Sequence, residues 1–196
     1  KHMTEDDIVF HVEMHGSPFC LIKNARNQDN ENTNLIEETA QATVSFSRAW
    51  KDGLSSGDAY WVFPNQVKKG APTGQFLPKG SFVIEGKRNF CKGIELKLSI
   101  GLVRIENRYT IVSGPLNAIK KRSLVFVSLL PGGSDPMNLA KKIKSEFVRV
   151  ISEFDSDLAD YLKKVLLDDF IRMLPTGQSK IEQIERGQSV NDVKIG

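Results

Sequence analysis

The chain has 196 residues, a formal charge of +3, 40% hydrophobic and 26% charged residues, the balance of an ordinary soluble globular protein long enough to bury a full core. A pI near 8.8 is too mild to imply nucleic acid by itself, so that reading depends on where the cations cluster. Two cysteines, Cys20 and Cys91, offer neither a disulfide framework nor a metal-ligand spacing, which points to the cytoplasm. The longest apolar stretch, 124–130, is too short to cross a bilayer, and the opening residues lack the pattern of a secretory leader.

In residues 8–14, Ile8, Phe10, Val12 and Met14 alternate with His11 and Glu13, predicting a half-buried strand stopped by Gly16. Residues 18–23 read as a second strand and 24–34 as a polar loop. Thr33 or Asn34 is placed to cap a helix, with Glu37 at the capping-box position. Leu35, Thr39, Ala42, Phe46 and Ala49 form its apolar stripe, Trp50 completes that face, and Gly53 ends it. Residues 58–63 are a short buried strand ended by Pro64, which cannot donate to a central ladder.

A loop of about sixteen residues follows, punctuated by Gly70, Pro72, Gly74, Pro78 and Gly80, longer than most connections in compact domains. From Pro64 to Lys97 the basic residues are Lys68, Lys69, Lys79, Lys87, Arg88, Lys92 and Lys97, against Glu85 and Glu95. That local balance of +5 exceeds the charge of the whole chain and is the footprint of a phosphate-backbone binder.

Downstream, 82–85 and 95–106 read as strands, Asn107-Arg108 as a hairpin turn, and 109–113 as the returning strand. Gly114-Pro115 breaks the chain before an apolar strand over 123–130, which Pro131-Gly132-Gly133 turns out of its sheet. Leu139, Ile143, Phe147, Val150 and Ile151 mark an amphipathic helix with Lys141, Lys142, Lys144 and Arg149 on its wet side. Asp155 or Ser156 caps another, with Leu158, Tyr161, Leu162, Val165 and Leu166 apolar, and a last short turn runs to Leu174. Consecutive strands with turn breaks predict an α+β fold: a mixed or largely antiparallel sheet with packed helices and a helical carboxy-terminal part.

Two stretches also resemble a known family. Trp61-x-x-Pro64-x-Gln66-Val67-x-Lys69-x-Ala71-Pro72-x-Gly74, then Gly80-Ser81-Phe82-x-Ile84-x-Gly86-Lys87-Arg88-Asn89-Phe90, resembles the signature of the NFACT-R domain. That domain belongs to the NEMF/RqcH family of ribosome-associated quality-control proteins, formerly called fibronectin-binding protein A-like. Phe10 to Ser17 is similar to the family's strand ending in His-Gly-Ala/Ser, and Ala42 to Trp50 to its helix closing in Ser-x-Ala-Trp. The similarity is strongest over 7–90, and the looser part, 97–177, resembles the extension of archaeal members.

The family's Gly-Gly-Arg-Asp-Ala-x-x-Asn-Glu segment, its NFACT-N domain, helix-hairpin-helix and coiled coil are not in this sequence. The resemblance therefore implies a carboxy-terminal part of a longer protein: an NFACT-R core over 1–96 without its amino-terminal part, an extension over 97–177, and a mobile tail over 178–196. It also implies tRNA and large-subunit ribosomal RNA as partners, no cofactor, no membrane, and a role in untemplated tailing of stalled chains. Lys68, Lys69, Lys79, Lys87 and Arg88 would neutralise phosphates, while Gln66, Asn65 and Asn89 would supply polar contacts. Of the aromatic residues Trp50, Tyr60, Trp61, Phe76 and Phe90, Phe76 is the stacking candidate; Trp50, Trp61 and Phe82 are expected in the core.

Other chemistry is poorly supported by the residues. His11 and His15 on one strand lie about 13 Å apart at roughly 3.3 Å per residue, too far to share one ion, and no third ligand accompanies them. His15 is expected to position the turn at Gly16 or to meet a phosphate or base. Asp6-Asp7 and Asp168-Asp169 point apart as neighbours and read as solvated faces or caps. No nucleophile elbow, Walker loop or Cys–His triad is present. Two alternatives stay open: a metal-dependent nuclease or RNA-modification subunit using His11, Glu13, His15 and Asp58, and a protein-interaction adaptor using the helical half.

Overall fold

The computed structural model describes residues 3–14, 16–25, 32–68 and 82–189. Two four-stranded sheets organise them. The first contains β1 (Ile8–Val12), β2 (Cys20–Ile22), β3 (Ser56–Val62) and β6 (Asn89–Glu95), in the order β2-β1-β3-β6. The helices α1 (Asn32–Ser45) and α2 (Arg48–Lys51) lie between β2 and β3, and α1 packs across all four strands. Between β3 and β6, the short strands β4 (Val67–Lys68) and β5 (Val83–Ile84) pair with each other.

The second sheet has the order β10-β9-β7-β8, from β7 (Leu98–Ile105), β8 (Arg108–Gly114), β9 (Ser123–Ser134) and β10 (Ser179–Arg186). The helix α3 (Leu116–Arg122) precedes β9; α4 (Pro136–Ser152), α5 (Ser156–Lys164) and α6 (Leu167–Ile171) follow it. Every pairing among these strands is antiparallel, so the architecture is α+β.

Local chemistry accounts for the boundaries. Asp135 and Asp155 cap α4 and α5, each accepting a hydrogen bond from the third residue on, Asn138 N–H at 3.1 Å and Leu158 N–H at 2.9 Å. The expected single helix through Trp50 is broken: α1 ends at Ser45, and Ser47 caps α2 by accepting from Ala49 N–H. That break rotates the apolar face, so Phe46 is exposed while Ala40, Val44, Ala49 and Trp50 are buried.

Further expectations are corrected. Strand 95–106 is two strands, β6 and β7, separated at Leu96-Lys97. Pro131, Gly132 and Gly133 continue β9, with the glycines at φ +88° and +100°. Within the tail expected over 178–196, Ser179–Arg186 forms a strand, because β10 pairs with β9 from Ser179↔Pro131 to Arg186↔Val125; residues 190–196 lie outside the described ones. Asp7 is no solvated carboxylate. It is fully buried and accepts from Thr4 N–H, Thr4 Oγ1, Lys23 Nζ and Asn24 N–H at 2.8, 2.9, 2.5 and 3.1 Å. The Lys23 ammonium and the backbone donors hold its pKa far below the usual carboxylate range.

One apolar cluster runs through both sheets, with Phe10, Trp50, Leu96, Ile100 and Phe147 among its members. At the seam, Trp50 Nε1 donates to Gln178 O at 3.2 Å and Ser179 Oγ at 3.0 Å. Ser45 Oγ both donates to Lys97 O and accepts from Lys97 N–H, each at 3.1 Å. Gly177 sits at φ +115°, and a Cβ there would meet Lys51 Cα at 2.8 Å, so only glycine lets the chain pass α2 so closely.

Candidate nucleic-acid interface

The first sheet has two unlike faces. Strand alternation sends Ile8, Phe10 and Val12 of β1 toward α1 and the main core. The opposite face carries Val9 and His11 of β1, Tyr60 and Val62 of β3, and Phe90 and Lys92 of β6. On that side the β4–β5 pair covers only one part: Val67 and Ile84 pack on Val9, Tyr60 and Val62.

The base of the β4–β5 unit is closed by one side chain. Gln66 Oε1 accepts from Phe63 N–H at 3.0 Å, and its Nε2 donates to Glu85 O at 2.8 Å and Lys87 O at 2.9 Å. Glu85 N–H in turn donates to Gln66 O at 2.9 Å. Gly86 adopts φ +79°, and a Cβ there would come within 3.2 Å of Gln66 Nε2. Gln66, expected to contact RNA, thus has its amide committed to fixing where the basic loop leaves and rejoins the sheet. Asn89 is used similarly, its Nδ2 donating to Trp61 O across the β3–β6 pair at 3.3 Å.

The cations of the expected site divide into three groups. Lys68 on β4 and Lys87 before β6 are exposed, as is Lys92 on β6, a member of the charge cluster outside the expected contact set. Arg88 is engaged: its guanidinium bonds the Glu13 carboxylate and lies over the Tyr60 ring, 4.9 Å from the centroid. Its charge is therefore largely met within the protein. Lys69, Lys79, Phe76 and His15 lie outside the described residues, together with the rest of the loop over 69–81.

A line of rings, unexpected from the sequence, crosses the open part of the face. Register places His11 opposite Tyr60 and Tyr60 opposite Phe90. Phe19 stacks on His11 at 4.3 Å and 15°, and Phe82 meets Phe19 edge-on at 5.4 Å. His11 meets Tyr60 at 6.0 Å and Tyr60 meets Phe90 at 5.7 Å. Tyr60 is buried, and burial pushes its hydroxyl above the ordinary value. The outer rings are not: Phe19, Phe82 and Phe90 are 39%, 39% and 47% exposed. Phe82 accordingly is not in the core as expected. Partly exposed rings on an open sheet, with exposed lysines on the neighbouring strands, can stack bases while the lysines meet phosphates.

The three described residues of the nuclease alternative, His11, Glu13 and Asp58, are engaged elsewhere. Pro18 O can only accept, so the 3.1 Å contact with His11 Nδ1 makes that nitrogen the donor. Glu13 is paired with Arg88, and Asp58 Oδ1 accepts from Gly93 N–H at 2.8 Å, closing the bulge in β6. Among the described residues no three of His, Cys, Asp or Glu gather closely enough to hold an ion, and no helix is long and apolar enough to cross a membrane.

Comparison with known proteins agrees with the motif. Residues 1–86 match the family model of the NFACT protein RNA binding domain. These residues belong to that family. Across 181 residues the chain is 34% identical to the archaeal Rqc2 homolog aRqcH of Methanocaldococcus jannaschii, which is 92% of this chain and 25% of that protein. It is 29% identical to the ribosome quality control complex subunit NEMF homolog of Drosophila melanogaster over 197 residues, 97% of this chain and 19% of that protein. Human ribosome quality control complex subunit NEMF is 40% identical over 90 residues, 46% of this chain and 8% of that protein. The chain spans a quarter or less of the length of these relatives. Similarity to the archaeal and fly proteins also runs through the second sheet, so the carboxy-terminal part is not an archaeal feature alone.

Proposed function

We propose that this chain is the RNA-binding module of a ribosome-associated quality-control factor, with tRNA and large-subunit ribosomal RNA as its partners and no reaction chemistry of its own. In the whole protein it would serve a factor that engages obstructed large subunits and supports untemplated tailing of stalled chains. The observation that carries the reading is that Lys68 on β4, Lys87 before β6 and Lys92 on β6 are all exposed, on the strands that cover and edge the partly open sheet face. None of the three forms an ion pair with another described residue. The family description of residues 1–86 supports it.

The test is tRNA binding by the whole chain from about 50 to 200 mM salt. Replacing Lys68, Lys87 and Lys92 together by Ala flattens the log–log salt slope by about two to three if each meets a phosphate. An unchanged slope would remove this face from the interface. A protein-adaptor reading keeps one supporting feature. Tyr109, Tyr161, Val165, Leu166 and Met173 line a cleft of about 410 Å³ between β8 and α5–α6, with Leu166 68% exposed.

A further inference from the structure

The exposed rings do not serve the interior of the protein. Phe90 points away from the main core, on the strand face opposite Cys91 and Ile94, and is nearly half exposed. Phe19 and Phe82 show comparable surface at the other end of the ring line. A solvated face has no need for three large apolar rings, and burying them in a complex would favour association. A bare apolar patch would suit a protein partner, but Phe90 is flanked along the chain by exposed Lys87 and Lys92, so an anionic occupant with flat apolar parts fits it best.

Resting on the RNA-binding reading above, we infer that this face binds unpaired nucleotides, with bases stacking on Phe90 and on the Phe19–Phe82 pair. The geometry discriminates between RNA forms. In an A-form duplex the bases are already stacked on each other and their faces are out of reach, so only splayed bases of a loop, bulge or end can lie on a ring. Arg88 is the positioning residue. Held by Glu13, its guanidinium lies on Tyr60, the ring against which Phe90 packs, and so fixes one flank of the stacking surface. Since an arginine carries five N–H donors, the Glu13 contact leaves others to meet a phosphate or base edge.

The experiment compares a single-stranded ten-nucleotide RNA with a blunt duplex of the same length, using the whole chain, wild type and variants. The single strand should bind at least several-fold more tightly than the duplex. Phe90→Ala should weaken single-strand binding about tenfold, leave the salt slope unchanged and leave the duplex affinity unchanged. Phe90→Trp should retain affinity and gain an indole emission that the RNA quenches, which separates lost stacking from lost folding.

Equal affinity for both forms, or a Phe90→Ala variant that binds the single strand like wild type, would overturn the inference. The RNA-binding reading would still stand if the salt slope persisted. If the wild type bound neither RNA, as a face built for a protein partner would behave, both readings would fall.

Discussion

Both four-stranded sheets are antiparallel, yet they are covered differently. The second is packed on both sides. Leu98, Ile100 and Leu102 of β7 join the cluster with α4, while Gly101 faces the opposite way onto Ile119 of α3. The first sheet is packed by α1 on one side and only partly by the β4–β5 pair on the other. The difference is written in side chains. All seven residues from Ser123 to Leu129 in β9 are buried, as a strand covered on both faces demands, whereas β6 alternates half-buried Cys91 with exposed Phe90 and Lys92. One sheet is covered in both directions, and the other leaves part of one face open.

Predictions that probe this contrast run from large to small. Trp50→Ala removes the buried ring that ties α2 to the start of β10, and should cost about 4 kcal/mol in chemical denaturation. A loss under about 1 kcal/mol would mean that the seam between the sheets is not held there. Gly101→Ala puts a Cβ 2.7 Å from Ile119 Cγ2 and 2.8 Å from Ser123 Cβ, so about 2 kcal/mol should be lost to overpacking. Gln66→Ala deletes three hydrogen bonds at the loop base and should cost about 1 kcal/mol while lowering RNA affinity indirectly. On the open face, Phe90→Ala should leave stability within about 0.5 kcal/mol; a large loss would make that ring part of the core.

Asp7 gives a pH test of the first sheet's edge. Lys23 and the backbone donors favour its ionised form in the folded chain, so its pKa is lower folded than unfolded. The stability it adds is complete above the unfolded carboxylate value, about 4, and is lost as pH falls through the range below it. Asp7→Asn should therefore lower Tm at pH 7, with the gap to wild type closing under acid. A gap independent of pH would show that packing, not charge, is what Asp7 supplies.

Much of the fold was legible in the sequence. The 3.6-residue apolar period marked α4, and the unbroken apolar run marked β9, because each buries a wide surface. Three elements were not legible, for identifiable reasons. In β10 a bulge between Ile181 and Gln183 interrupts the two-residue period and turns Glu182 out to Lys97, so Ile181 and Ile184 do not alternate. The helix α3 has seven residues, a proline at its N-cap and three basic residues in its last turn, too short for a stripe. In β6, Lys92, Gly93 and the open side of the sheet remove the apolar signal.

The site was partly legible. Local clustering of charge singles out Lys68 and Lys87, and both are exposed. The backbone bonds of Gln66 and Asn89 were not legible, because a polar side chain in a loop signature carries no sign of which backbone it will meet. The ring line was invisible because Phe19, His11, Tyr60, Phe82 and Phe90 are brought together only by strand register.

The most direct test of the contrast between the sheets is to map where RNA touches. Transfer RNA carrying 4-thiouridine would be photo-crosslinked to the whole chain, and the modified peptides located by mass. Crosslinks in peptides from 8–25 and 82–95, lost in competition with unlabelled single-stranded RNA, are the predicted result. Crosslinks confined to 98–189 would place RNA on the second sheet and its helices, and would contradict the assignment of the open face.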